Sequence, residues 1–217
     1  MLFPFEIGRM QMGRFAKWVT LGGAAALAAS VAVAAGNAGA PEASAAQFTA
    51  KGELLFPADY RSWTFLTSGH GMSYNAQANA AADQPFDNVF VDPQSHAAFL
   101  KTGHWPEGTM LVLEVRSSTS KGSINQHGAF QSGDPVGLEI HVHDSKRFKG
   151  GWGFFGFDGK APATMIGYDA SCYACHQAHA AVDTTFVQFY PTLLPIAKEH
   201  GSFSANYLAE EKLPAKP

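Results

Sequence analysis

The chain has 217 residues, a formal charge of −3, 46% hydrophobic residues and two cysteines. That length allows one domain with its own core, and the mildly acidic balance offers no basic patch for nucleic acid.

The N-terminus predicts export. Arg9, Arg14 and Lys17 precede an uncharged run from Trp18 to Ala35, the order of a basic n-region and an apolar h-region. The run is mostly Ala, Gly and Val, weak as a permanent span, although an uncleaved anchor is the alternative. Ala43-Ser44-Ala45 reads as a cleavage site. Residues 1–45 are therefore expected to be a signal peptide, and residues 46–217 the mature domain. Cleavage removes three bases (Arg9, Arg14, Lys17) and two acids (Glu6, Glu42), leaving a charge of about −4.

In the mature part, Leu54-Leu55-Phe56 can dock as an edge piece. Tyr60 to Leu66 reads as a helical turn passing into a strand, and Ser68 to Gln84 as a loop. Phe86–Val91 is a short strand. Asp92-Pro93 opens a helix that Gly103 ends. Thr109–Arg116 is the clearest strand, with Thr109, Leu111, Leu113 and Val115 on one face. Ser117–Gly133 reads as a long hairpin connection. Val136–His143 is the next strand, with Gly137, Glu139, His141 and His143 sharing a face. In Trp152–Phe157, a third strand, glycines permit close approach. Short connections favour an antiparallel sheet. Helices are expected over Cys172–Ala181 and, capped by Asp183, over Thr184–Tyr190. Pro191 and Pro195 interrupt the next segment, and Glu210–Pro217 reads as a frayed tail.

Cys172-Tyr173-Ala174-Cys175-His176 carries the chemistry. Cys-x-x-Cys-His is the attachment pattern of c-type haem. Two thiols three positions apart reach both vinyl groups of one porphyrin, and the next residue offers an imidazole to iron. Cys172 and Cys175 are the expected thioether anchors of one haem c, and His176 the proximal ligand. A disulfide, a thioredoxin-like redox pair and a zinc site compete with this reading. Only 42 residues follow Cys175, short for the thioredoxin fold, and no second ligand pair stands at zinc spacing. Completion of such haem attachment outside the cytoplasmic membrane agrees with export to a bacterial periplasm.

A strand-rich body with the haem motif near its C-terminal end is unusual for a mono-haem cytochrome. Tyr60-Arg61-x-Trp63, Val91-Asp92-Pro93-x-Ser95, Lys101-Thr102-Gly103, Gly137-Leu138-Glu139, Asp144 to Phe148, Trp152-x-Phe154, Cys172 to His176 and Phe189-Tyr190-Pro191 occur in this order. Together they resemble the cytochrome P-460 family, which includes the cytochromes c′-beta. The resemblance implies an α+β fold: a curved antiparallel sheet with flanking helices, usually a homodimer, and a five-coordinate haem whose open face lies in a pocket made by the sheet. It also implies one of two activities. Cytochromes P-460 oxidise hydroxylamine and carry a lysine cross-linked to the porphyrin; cytochromes c′-beta lack that bond and bind nitric oxide at a crowded apolar face.

The family's cross-linking position falls on Leu113 here, which places the chain with the c′-beta type and makes NO the expected ligand. Ordinary sheet core is the plainer role for this leucine. Glu139 matches the distal carboxylate of hydroxylamine-oxidising members, where it could relay protons; a solvent-facing charge is its plainer role. Hydroxylamine oxidation with Glu139 as catalytic residue, and electron transfer to a periplasmic partner, are the alternative functions. His70, Met72, His96, His104, Met110 and His127 are conceivable sixth ligands, with Met110 disfavoured by its strand phase against Leu113.

Overall fold

A computed structural model describes residues 46–74 and 84–212. The expected signal segment, most of the loop before Phe86 and the last five residues lie outside them. The architecture is α+β. Five antiparallel strands run in sequence order: β1 (Thr64–His70), β2 (Phe86–Val91), β3 (Met110–Thr119), β4 (Phe130–His143) and β5 (Trp152–Phe157). Helix α1 (Pro93–Thr102) sits between β2 and β3, while α2 (Ser171–His179), α3 (Leu194–His200) and α4 (Ala205–Glu211) come after the sheet.

Local chemistry explains most boundaries. A 3-10 turn at Tyr60–Ser62 leads into β1. Asp92 caps α1, accepting from the Ser95 N–H at 2.8 Å, and its second oxygen accepts from the Met110 N–H at 3.0 Å. One buried carboxylate thus ties the helix start to β3. Gly103 closes α1 in the left-handed conformation, φ 70°. Gly153 is required for packing: an added Cβ would lie 2.7 Å from the Phe148 ring.

Strand alternation sorts side chains into two cores. Val112, Leu138, Ile140, Val142, Phe155 and Phe157 pack with Leu54, Tyr60, Trp63 and Phe148 on one face. The other face, with Val91, Leu111 and Phe154, packs against Phe99, Trp105, Val182, Val187 and Leu193. Leu54 is the expected docking piece, exchanging backbone hydrogen bonds with Ala163 at 2.8 and 2.9 Å.

Five expectations need correction. β1 continues through Ser68 and Gly69 to His70, which pair with β2. Ser117–Gly133 is strand at both ends: Ser117 pairs with Ser132 and Thr119 with Phe130, so β3 and β4 extend as a two-stranded ribbon and the hairpin connection shortens to residues 120–129. Its polar residues show no apolar alternation because the ribbon projects past the cores. No α-helix forms over Thr184–Tyr190; a tight turn and a 3-10 turn at Val187–Phe189 replace it. Pro195 starts α3, lying in its first turn, where a missing N–H costs nothing. Ser204 then caps α4, accepting from the Tyr207 N–H at 3.1 Å, so Glu210 and Glu211 are helical.

Candidate functional site

Helix α2 brings the motif together. Cys172, Cys175 and His176 stand at i, i+3 and i+4, one face of a helix. All three line a cavity of about 440 Å³, a size usual for small-molecule and cofactor sites.

Tyr173 fixes the helix against the sheet. Its ring stacks on Phe154 at 4.2 Å between centroids. Its hydroxyl accepts from the Phe154 N–H at 3.0 Å and donates to the Ile166 carbonyl at 3.2 Å. The bond satisfies a β5 donor at the sheet edge, and it places the motif residues over the cavity. From the other side, Asn206 of α4 donates to the Gln177 carbonyl at 3.1 Å. The Ser204 hydroxyl donates to the Ala180 carbonyl at 2.7 Å.

The sheet wall of the cavity comes from odd-numbered residues of β1 to β4, joined by Val112. Thr67, Val89, Leu113, Glu139 and Gly156 form one cross-strand row over all five strands. Leu113 sits at its centre, on the middle strand. Gly69 and Asp87 belong to the next row; Leu111 and His141 to the one beyond Leu113 on the other side. Phe186, Phe189, Tyr190, Tyr74 and Met72 add an aromatic and thioether lining.

His176 is held by its surroundings. Its Nδ1 lies 2.8 Å from the Thr184 carbonyl. A carbonyl can only accept, so Nδ1 carries the hydrogen and Nε2 keeps its lone pair. The rings of Phe186, Phe154 and His141 lie 4.3, 4.8 and 4.8 Å away. Despite this hydrogen bond, burial lowers the His176 pKa, which favours the neutral imidazole. His141 stacks on Phe154 at 3.8 Å. Burial, helped by the neighbouring His176, holds its pKa well below the ordinary value.

The carboxylates behave differently. Burial pushes Glu139 up, and the charge of Asp87 pushes it further. Burial also raises Asp87. Among the described residues neither side chain has a hydrogen-bond or ion-pair partner. Asp87 is a site residue that sequence reading passed over. The signal for it was the register: once Leu113 faces the cavity, its partner Val89 does too, and Asp87 lies two residues along the same strand.

Other candidates separate. Met72 lines the cavity. Met110 is buried in the opposite core, as its phase implied. His143 stacks on Trp152 at 4.8 Å, with Nδ1 3.0 Å from the Pro106 carbonyl, so it supports the fold and does not line the cavity. His104 contacts Asp183, and His70 stacks on Phe86 at 4.4 Å.

The donor set fits a haem. Two thiols and one imidazole with a free Nε2 face a single cavity walled by aromatic rings. Among the described residues no three His, Cys, Asp or Glu side chains converge to hold a metal on their own. Residues 57–187, more than half of the chain, match the family described as Cytochrome P460. No curated protein matches the sequence.

Proposed function

Because the chain belongs to the cytochrome P460 family, whose members are haem proteins, we propose that it is an exported mono-haem c-type cytochrome that binds nitric oxide. Cys172 and Cys175 hold the porphyrin as thioethers, and His176 Nε2 ligates the iron. When bound, the haem supplies an iron with one side open to a small ligand. The protein supplies the shape and polarity of the space beside it. The observation that carries the reading is the sharing of one cavity by the three motif residues and Leu113. A branched apolar side chain at the centre of the sheet wall excludes water and crowds anything larger than a diatomic. It also offers no amine for a porphyrin cross-link.

Export rests on the charge order of residues 9–35 and the small-residue site at Ala43–Ala45. The mature chain then begins at or near Ala46.

A second reading, hydroxylamine oxidation, is favoured by one observation: Asp87 and Glu139 both face the cavity, without partners among the described residues. Two carboxylates can take up the protons of a bound amine.

Mass spectrometry of the secreted protein tests the core of the proposal. One haem added per chain, resistant to acid-acetone, is expected; an extractable haem overturns it. Anaerobic NO titration beside hydroxylamine turnover with an artificial oxidant separates the two chemistries. Tight NO binding with slow turnover supports the first reading. Fast turnover that Glu139→Ala and Asp87→Ala abolish establishes the second.

A further inference from the structure

Two consecutive residues beside His176 hold a left-handed backbone conformation, which the second of them, a β-branched threonine, resists. Val182 and Thr185 exchange backbone hydrogen bonds at 3.3 and 2.7 Å, closing a two-residue turn. Its central residues, Asp183 and Thr184, have φ of 46° and 56°. Positive φ at both positions is the type I′ pattern, which favours Asn-Gly. For a β-branched threonine it is strained.

Tertiary contacts impose the turn. Asp183 accepts from the Trp105 N–H at 2.9 Å and meets His104 Nδ1 at 3.0 Å. The Trp105 indole N–H donates to the Thr185 hydroxyl at 2.8 Å, which donates to the Val182 carbonyl at 2.7 Å. Val182, Thr185 and Trp105 are all buried. The consequence falls on one atom. The Thr184 carbonyl is turned to His176 Nδ1, 2.8 Å away.

We propose that this turn is a clamp for the proximal imidazole, with Asp183 as its positioning residue. The inference rests on His176 being the iron ligand. Asp183 anchors the turn to the loop between α1 and β3, at His104 and Trp105. The anchored turn holds the Thr184 carbonyl against the Nδ1–H. That bond fixes the tautomer and the ring plane, and it makes Nε2 a stronger donor, as partners of metal-bound imidazoles do. The local strain is retained because it aims this carbonyl.

Three haem-loaded variants test it, read by the ferrous Fe–His stretching band in resonance Raman and by the reduction potential. Asp183→Ala frees the turn, so the band moves to lower frequency and the potential rises. Asp183→Asn keeps an acceptor for the Trp105 N–H and tolerates positive φ, so both quantities stay near wild type. Thr184→Gly keeps the carbonyl while relieving the strain; both stay put and the melting temperature rises. A folded Asp183→Ala protein with an unmoved band and potential overturns the clamp. If that variant does not accumulate, His104→Ala serves: its side chain is half exposed, and its loss removes one partner of Asp183. A smaller shift in the same direction supports the clamp, and none overturns it. A wild-type protein with haem but no Fe–His band overturns the His176 reading itself, and the clamp with it.

Discussion

Leu113 and Glu139 are directly opposed across the β3–β4 ladder, and both face the cavity. An apolar branch and a carboxylate therefore stand side by side on the wall that an incoming ligand meets. The neighbouring face positions, Val89 beside Leu113 and Asp87 along the same strand, repeat that mixture. The cavity is neither uniformly apolar nor a polar relay, and the two residues make separable predictions.

Leu113→Ala removes the crowding branch. The expected outcome is faster NO association with the haem-loaded protein, measured by stopped flow, together with little gain in hydroxylamine turnover. The side chain is only partly buried, so the stability loss is expected at the low end for Leu→Ala, about 2 kcal/mol by urea unfolding. An unchanged association rate places Leu113 in the plain sheet core.

Glu139→Gln tests the raised carboxyl. Burial, with Asp87 adding to it, lifts its folded pKa above the unfolded value. The folded state then holds more protons across that interval, so native stability falls as pH rises through it. Replacing the group with a neutral amide removes the penalty. Thermal melts should show Glu139→Gln more stable than wild type at neutral pH. The gain should shrink to nothing below about pH 4, where both states are protonated. Asp87→Asn carries the same sign through its own burial. A gain that does not vary with pH points to packing instead of charge.

Helix α2 starts without a side-chain cap, since Ala170 occupies the N-cap position. Ala170→Ser should accept one of the free first-turn N–H groups and stabilise the protein by about 0.5–1 kcal/mol. The haem spectrum should not change, because position 170 does not line the cavity. A perturbed spectrum with no gain in melting temperature would count against this reading of the helix start.

The parts of the fold legible in sequence are those set by short-range patterns. Period-two alternation grouped Leu113 with Leu111 and Glu139 with His141, the family resemblance turned those faces toward the pocket, and the Asp92-Pro93 start and Gly103 stop bounded α1. Spacing alone put Cys172, Cys175 and His176 on one helical face. What escaped was set by contacts far along the chain. Asp183 reads locally as a helix cap. Its acceptance from the Trp105 N–H, 78 residues away, makes it a turn residue instead. Asp87 lies in a short strand of mixed polarity with no alternation to mark its face, and its register against β3 turns it to the cavity. Pro195 reads as a breaker, although in a first turn it is a starter. Tyr173, an unconstrained position of the haem motif, gained its anchoring role from Phe154 of β5.

Glu114 stands next to Leu113 in the chain and faces the other way, and its prediction has the opposite sign. It is buried and accepts from Arg116 Nε at 2.6 Å and Asn88 Nδ2 at 3.3 Å. It also accepts from the Tyr60 hydroxyl, and Arg61 pairs with it at 2.7 Å. Burial alone would raise its pKa, but the hydrogen bonds from Tyr60, Arg116 and Asn88 outweigh it and hold the carboxyl below its ordinary range. A carboxyl with a lowered folded pKa contributes stability above its unfolded pKa, and that contribution is lost as pH falls through the folded value. Glu114→Gln leaves the partly buried Arg116 without its counter-charge. The expected cost is on the order of 2–3 kcal/mol at neutral pH, fading in acid. The haem spectrum should be untouched, because the network lies on the face away from the cavity. Urea unfolding across pH, run beside Glu139→Gln, checks both signs. Parallel pH trends in the two variants would show that the two faces of β3 do not hold their carboxylates in opposite electrostatic states.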